Sequence, residues 1–136
     1  MFDSLDISAS ALLAQRTRMD TIANNVANMN TTHNEKGEPV PYRRRFVLFA
    51  PGRTGENGET MPGVHVEKVE SDTKAFRIVH DPGNKDADKN GNVSYPNVDL
   101  AIEQVNMIEA SRAYDANVTM MDTTKAMIAS ALRLIA

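Results

Sequence analysis

All seven glycines and all six prolines of the 136-residue chain lie between Gly37 and Pro96. Residues 1–36 and 97–136 therefore carry neither helix breaker, and two long uninterrupted helices are predicted to flank an irregular middle. Charge divides in much the same way: residues 31–99 hold 21 charged side chains, whereas residues 1–30 and 100–136 together hold 12. The ends are short of solvating groups for helices of that length.

Within the first segment Leu5, Ser8, Leu12, Gln15, Met19, Ile22, Val26 and Met29 recur at alternating intervals of three and four, a heptad stripe. Asp3 or Ser4 is placed to cap its start. The last segment repeats the device with Leu100, Gln104, Met107, Ser111, Tyr114, Val118, Met121, Lys125, Ile128, Leu132 and Ile135. Asn97 is the expected cap there, and Asp99 and Arg133 suit the two ends of the helix dipole. At 1.5 Å per residue this second helix spans roughly 55 Å, too long a rod to bury its own stripe. Sustained 3.5 periodicity predicts helices running nearly parallel to a partner. The predicted fold is mainly α with a small β insert: the terminal helices pair as a coiled-coil-like hairpin, and the middle forms short antiparallel strands and loops. Residues 1–36, 37–96 and 97–136 are the corresponding units.

The outward helix faces are mostly alanine, serine, threonine and asparagine. Small neutral faces permit close contact with further helices, so subunits are expected to pack through them. Asn24, Asn25 and Asn28 sharpen that expectation, because a neutral amide can be satisfied by a neighbour without the desolvation cost of an ion. Asparagine is a weak helix former, and three of them also limit the stability of the isolated helix. The alternative for Asn28 and Asn30 is that they simply end the helix before the polar loop that follows.

In the middle, "YRRRFVLFAP", "GVHVEKVE" and "KAFRIVHDP" read as three short strands, with a turn-rich loop from Gly52 to Gly63 between the first two. So small a sheet needs cover from a helix. Arg43, Arg44 and Arg45 point to alternating faces of a strand amid acidic neighbours, which favours a solvated or subunit-contact role over a nucleic-acid patch. Asp86, Asp88 and Asn90 before Gly91 imitate the start of an EF-hand calcium loop, but Asn97 stands where the bidentate glutamate belongs, and "HDPGNK" cannot be an entering helix. An Asx-rich turn is the simpler reading, with a calcium-binding module as the rival one. His33, His65 and His80 are dispersed, and no phosphate loop or nucleophile pattern is present. Neither catalysis nor a cofactor is expected.

A formal charge of -3 gives no electrostatic case for nucleic acid or anionic lipid. The absence of cysteine removes disulfides and thiolate chemistry and leaves the chain free to be transported unfolded. The first residues lack a basic start and an unbroken apolar run, so neither a secretory signal nor a membrane span is expected.

"ALLAQRTRMDTIANNVANMNTT" resembles the N-terminal signature of flagellar rod and hook proteins, and "YPNVDLAIEQVNMIEASRAYDANVTMMDTTKAMIASALRLI" narrows the resemblance to the flagellar basal-body rod family, nearest its proximal-rod members. The family motif falls on Ala14, Gln15, Arg16, Arg18, Met19, Ile22, Ala23, Asn24, Asn25, Ala27, Asn28, Asn30 and Thr31. At the other end it falls on Tyr95, Pro96, Asn97, Val98, Asn106, Met107, Ser111, Arg112, Tyr114, Ala116, Asn117 and Val118. The resemblance implies a non-enzymatic structural subunit of a hollow rod in the bacterial cell envelope, which transmits torque and is exported through the flagellar type III apparatus. Its implied neighbours are copies of itself, other rod proteins, the inner-membrane ring and the export apparatus. Periodicity and resemblance together nominate Leu12, Gln15, Arg16, Met19, Ile22, Asn24, Asn25, Asn28, Met107, Tyr114, Asn117, Val118, Met121, Ile128 and Leu132 as subunit-interface positions. A generic helical adaptor that offers its heptads to a coiled-coil partner remains the other reading.

Overall fold

The computed structural model describes residues 2–54 and 58–135. Two helices, α1 (Phe2–Ala27) and α2 (Leu100–Ile135), occupy the segments that lack glycine and proline. Between them lie strands β1 (Arg45–Thr54), β2 (Thr60–Ser71), β3 (Arg77–His80) and β4 (Asn92–Tyr95). The mainly α architecture with a small antiparallel β insert is the one predicted.

The helices pair antiparallel, since Arg18 reaches Glu109 at 3.3 Å and Asn25 reaches Glu103 at 3.0 Å. Helix α1 stops where Asn28 donates its side-chain amide to the Asn24 carbonyl at 2.9 Å and the backbone tightens into successive turns from Val26 to Thr31. The Asn24 carbonyl also accepts the Asn28 backbone amide at 3.1 Å, so the side chain adds a second bond to the last helical turn. Helix α2 starts differently from expectation. Asp99 is its cap, with Oδ1 accepting the amides of Ala101 at 2.9 Å and Ile102 at 3.3 Å. Asn97 is instead drawn to the chain before β1, where its Oδ1 accepts the Arg44 amide at 2.9 Å.

Strands β1 and β2 form a long antiparallel hairpin from Arg45↔Ser71 to Thr54↔Thr60, with irregularities at Leu48/Phe49 and Pro51/Arg53. The second irregularity accommodates Pro51, which has no amide to give to the ladder. Pairing thus continues into the segment read from sequence as an open loop, through Arg53↔Met61. Both strands pack on α1, the cover a two-stranded ribbon requires. At its far end the hairpin touches α1 through Ser10, whose Oγ accepts the Val64 amide at 3.1 Å and donates to the Ile7 carbonyl at 2.7 Å. Gly63 makes this approach possible: with φ at +130°, a Cβ there would stand 2.5 Å from Ser10 Oγ.

The second ribbon pairs β3 with β4 from Arg77↔Tyr95 to His80↔Asn92. Strand β4 was not predicted, because "NVSY" lies inside the stretch read as a turn. The turn itself has the Asx character expected of it. Asp88 Oδ1 accepts the amides of Asn90 and Asn92, both at 2.8 Å, and Asp86 Oδ2 accepts the Thr32 hydroxyl at 2.5 Å. The carboxylates that imitate a calcium loop are therefore engaged in holding the turn and tying it to the chain after α1.

Candidate assembly interface

The junction between the helices and the β hairpin is polar and closed. Asn25 is fully buried, and its amide is fully used. Nδ2 donates to the Arg45 carbonyl at 2.7 Å and to Glu103 Oε2 at 3.0 Å, while Oδ1 accepts the Arg45 amide at 2.9 Å and the Tyr42 hydroxyl at 3.0 Å. Glu103, also fully buried, receives Arg44 Nε on its other oxygen at 2.8 Å. Arg44 reaches Asp72 as well, at 3.6 Å, so a cation on the chain entering β1 is held between α2 and the residue after β2. Burial pushes the Tyr42 hydroxyl above its ordinary pKa; the Arg45 guanidinium opposes the shift and the Glu103 carboxylate adds to it. A buried charge is tolerated when it is paired and hydrogen-bonded, and here both conditions hold.

This geometry revises the expectation for Asn25. Its amide has no capacity left for a neighbouring subunit; it fastens α1 to β1 and α2 within one chain. Ile22, 5% exposed, is likewise enclosed by its own chain. Two of the three consecutive arginines also turn inward, while Arg45 is exposed. Besides Arg44, Arg43 donates to the carbonyls of Asp72 and Lys74 at 3.0 and 3.2 Å and lies over the Phe76 ring at 4.3 Å.

The face that α2 turns toward α1 is rotated from the predicted stripe. Met107, Tyr114, Met121 and Ile128 are partly covered, but between them Glu103 and Thr124 are covered where Gln104 and Lys125 are exposed, Ala110 is more buried than Ser111, and Asn117 and Val118 are both half-buried. Glu103 and Ala110 are fully buried, whereas Leu100 and Gln104 are exposed. The rotation brings Glu103 to Arg44 and leaves large apolar side chains outside. Ile102, Val105, Ile108, Met120 and Met127 are each more than half exposed, and Ile7 and Leu13 stand out from α1. Buried apolar residues are few and mostly small: Ala14, Ile22, Val93, Val98 and Ala110.

Of the other nominated positions, Arg16, Asn24 and Leu132 are exposed, whereas Leu12, Gln15, Met19, Asn28, Tyr114, Asn117, Val118, Met121 and Ile128 are half-buried. Asn117 donates to the Ala113 carbonyl at 2.7 Å, and Gln15 Oε1 is buried with no hydrogen-bond partner among the described residues. Sequence reasoning missed Tyr42, Arg44, Asp72 and Glu103. One signal was available: Glu103 is a lone acid at a spacing of four and seven from Met107 and Ala110, so it shares their face. Among the described residues, no three metal-ligating side chains cluster and no helix is long and apolar enough to cross a membrane.

Large apolar side chains exposed along both helices mark an interaction surface. Comparison with known proteins states whose. The family described as "Flagella basal body rod protein" matches residues 5–33, and "Flagellar basal body rod FlgEFG protein C-terminal" matches residues 89–134. The flagellar basal-body rod protein FlgC of Bacillus subtilis is 43% identical, over 98% of this chain and 97% of its own length. The chain belongs to the flagellar basal-body rod protein family. Two further rod-family relatives, the FlgC proteins of Borreliella burgdorferi and Salmonella typhimurium, are 38% and 37% identical, each over 97% of its own length. The two family matches cover α1 and α2 together with the turn after it and the approach before it, so the rod-family signature coincides with the exposed apolar faces and with the Asn25–Glu103 junction.

Proposed function

We propose that this chain is a structural, non-catalytic subunit of the proximal rod of the flagellar basal body in the bacterial cell envelope, assembled through its terminal helices. The single observation that carries the reading is the row of large apolar side chains left outside α2, from Ile102 to Met127, on a chain that matches rod proteins over nearly its whole length. Such a row is costly in water and is relieved by burial against neighbouring helices, at roughly 25 cal/mol per Å². Among the nominated positions, Arg16, Asn24 and Leu132 supply outward groups for those contacts, and Leu12, Met19, Asn28, Met107, Tyr114, Val118, Met121 and Ile128 line their margins.

Torque transmission asks for a subunit that does not shear internally. The closed hydrogen-bonded junction of Asn25, Arg44 and Glu103 supports that role, because it fixes the outer β segment to both helices at one end. The three units 1–36, 37–96 and 97–136 then act as an axial helical pair carrying an outer insert. Export in an unfolded state, and contact with the inner-membrane ring and export apparatus, complete the proposal; the absence of cysteine accords with passage through a narrow channel.

The test is genetic and biochemical in the bacterium that encodes the chain. Deletion is expected to leave cells without flagellar filaments and non-motile, and a tagged copy is expected in purified basal bodies. Motile deletion cells, or basal bodies that lack the tagged chain, overturn the assignment.

A further inference from the structure

Helix α2 is held by different means along its length. Its first turns are fixed by the Asn25–Glu103–Arg44 junction and by the Arg18–Glu109 pair. Further along, α1 is the only described element that runs against it, whereas α1 is itself backed by β1 and β2. With Arg18 level with Glu109, Phe2 comes level with about Lys125, so the last turns of α2 have no helix beside them.

Between the fixed part and the free part lies the weakest helical sequence of α2. Seven of the ten residues 115–124 are Asp, Asn, Val or Thr, types low in helix propensity, against two of residues 105–114 and none of residues 125–134. Side chains of this segment also turn back on the helix. Asn117 donates to the Ala113 carbonyl at 2.7 Å, and Thr119, Thr123 and Thr124 donate their hydroxyls to the carbonyls of Asp115, Thr119 and Met120, each at 2.9 Å. A carbonyl that already holds a side-chain donor stays satisfied when its bond to the backbone amide lengthens, which is how such side chains let a helix bend. Opposite this segment α1 has bonds of the same kind, from Ser8 to the Ser4 carbonyl at 2.9 Å and from Ser10 to the Ile7 carbonyl at 2.7 Å. Ser10 is also tied to the Val64 amide, however, so α1 stays with the β hairpin.

We propose that residues 115–124 are a hinge about which the last turns of α2, from Lys125 onward, swing relative to the junction. Helix α2 is continuous through them in this structure, so the hinge works by bending and not by unfolding. The swing re-aims Met127, Leu132 and Leu134, which are 61%, 63% and 89% exposed, while the bond between Asn25 and Glu103 stays closed. Rigidity and compliance are thus assigned to different parts of one helix. The hinge is a property of the single chain and does not rest on the rod reading; where that reading holds, it lets the same apolar groups meet neighbours at different angles.

The chain has no cysteine, which allows site-directed spin labelling without background. Gln104→Cys/Ser130→Cys puts labels at two exposed positions on either side of the segment, about 39 Å apart along a straight helix. Double electron–electron resonance on the isolated full chain is expected to give a broad distance distribution with a tail toward shorter separations. Adding Thr119→Ala/Thr123→Ala/Thr124→Ala removes the three hydroxyls and raises helix propensity, and is expected to narrow the distribution to about half its width. Ser111→Ala, on the junction side, is expected to leave the width unchanged. Equal widths with and without the three alanines, whether both narrow or both broad, overturn the hinge. Equal narrowing by Ser111→Ala overturns its placement at residues 115–124. Either failure leaves the rod assignment standing, since that is read from basal bodies and motility.

Discussion

The side chain of Asn25 bonds to the backbone of Arg45 as a neighbouring strand would, donating to its carbonyl at 2.7 Å and accepting its amide at 2.9 Å. A helix side chain thus completes the outer edge of β1 at the point where the strand begins. The same amide holds the Tyr42 hydroxyl and the buried Glu103, so one residue of α1 joins three other parts of the chain. Replacing Asn25 by alanine leaves a strand amide, a strand carbonyl, a hydroxyl and one carboxylate oxygen without that partner. Urea unfolding of Asn25→Ala is expected to show a loss of about 3 kcal/mol, since unsatisfied buried groups cost about 1–3 kcal/mol each and some regain water. Asn25→Asp is expected to be at least as damaging, because it sets a second carboxylate against Glu103. A loss below about 1 kcal/mol for the alanine variant would mean that the junction is open to solvent.

The Arg44–Glu103 pair makes a complementary case. Glu103 is fully buried and Arg44 largely so, and removing one partner of such a pair typically costs about 3–5 kcal/mol by stranding the other charge. Glu103→Leu alone and Arg44→Met alone are each expected to lower the unfolding midpoint in urea strongly. The double variant is expected to recover much of the loss, because an apolar pair of similar volume avoids the desolvation of both ions. Additive losses in this double-mutant cycle would show that the two side chains are not energetically coupled.

How much of this was readable beforehand depends on the range of the interaction concerned. The helices were legible because glycine and proline avoid them and because their periodicity is local. Strands β1, β2 and β3 were legible from clustered β-branched and aromatic residues. Strand β4 was not, since its four residues are embedded among Asn, Asp and Gly and gain their extended form from pairing with β3. The phase of α2 was misjudged for a related reason. Glu103 looks like a solvated position until Arg44, 59 residues earlier, is brought beside it. Asn25 likewise reads as an amide awaiting a neighbour, because its partners lie 17, 20 and 78 residues away and only the tertiary fold supplies them.

Gly63 should tolerate no side chain. Its φ of +130° disfavours any L-residue, and an added Cβ would meet Ser10 Oγ at 2.5 Å. Gly63→Ala is expected to cost about 1–3 kcal/mol and to loosen the far end of the β1–β2 hairpin from α1. Hydrogen exchange of the Val64 amide, now held by Ser10, should accelerate. Ser10→Ala would expose the same amide without the backbone strain, so its smaller loss separates steric from hydrogen-bonding effects.

Stability should fall in alkali partly through Tyr42. Its folded-state pKa is raised above the ordinary value of 10.0, chiefly by burial, so the native state holds the proton more tightly than the unfolded chain does. The associated stabilisation is complete below pH 10.0 and is lost as pH rises through the folded-state value. In Tyr42→Phe that component disappears, so the slope of unfolding free energy against pH above 10 should be shallower than in the unaltered chain. Circular dichroism during urea titration at a series of alkaline pH values measures it, and identical slopes would place the tyrosine outside the linkage.

Gln15 tests whether the helix seam is tuned for the solitary chain. Its Oε1 is buried with no partner among the described residues, an arrangement that costs about 1–3 kcal/mol relative to a satisfied acceptor. Gln15→Met keeps the length and approximate volume while removing both the acceptor and the donor. The isolated protein is therefore expected to gain about 1 kcal/mol, read as a higher urea midpoint with an unchanged m-value. If the amide instead finds a partner when subunits join, the same variant should incorporate into basal bodies less efficiently despite its greater stability. A stabilised monomer that assembles as well as the unaltered chain would remove Gln15 from the proposed contacts and leave it as an imperfection of the intramolecular seam.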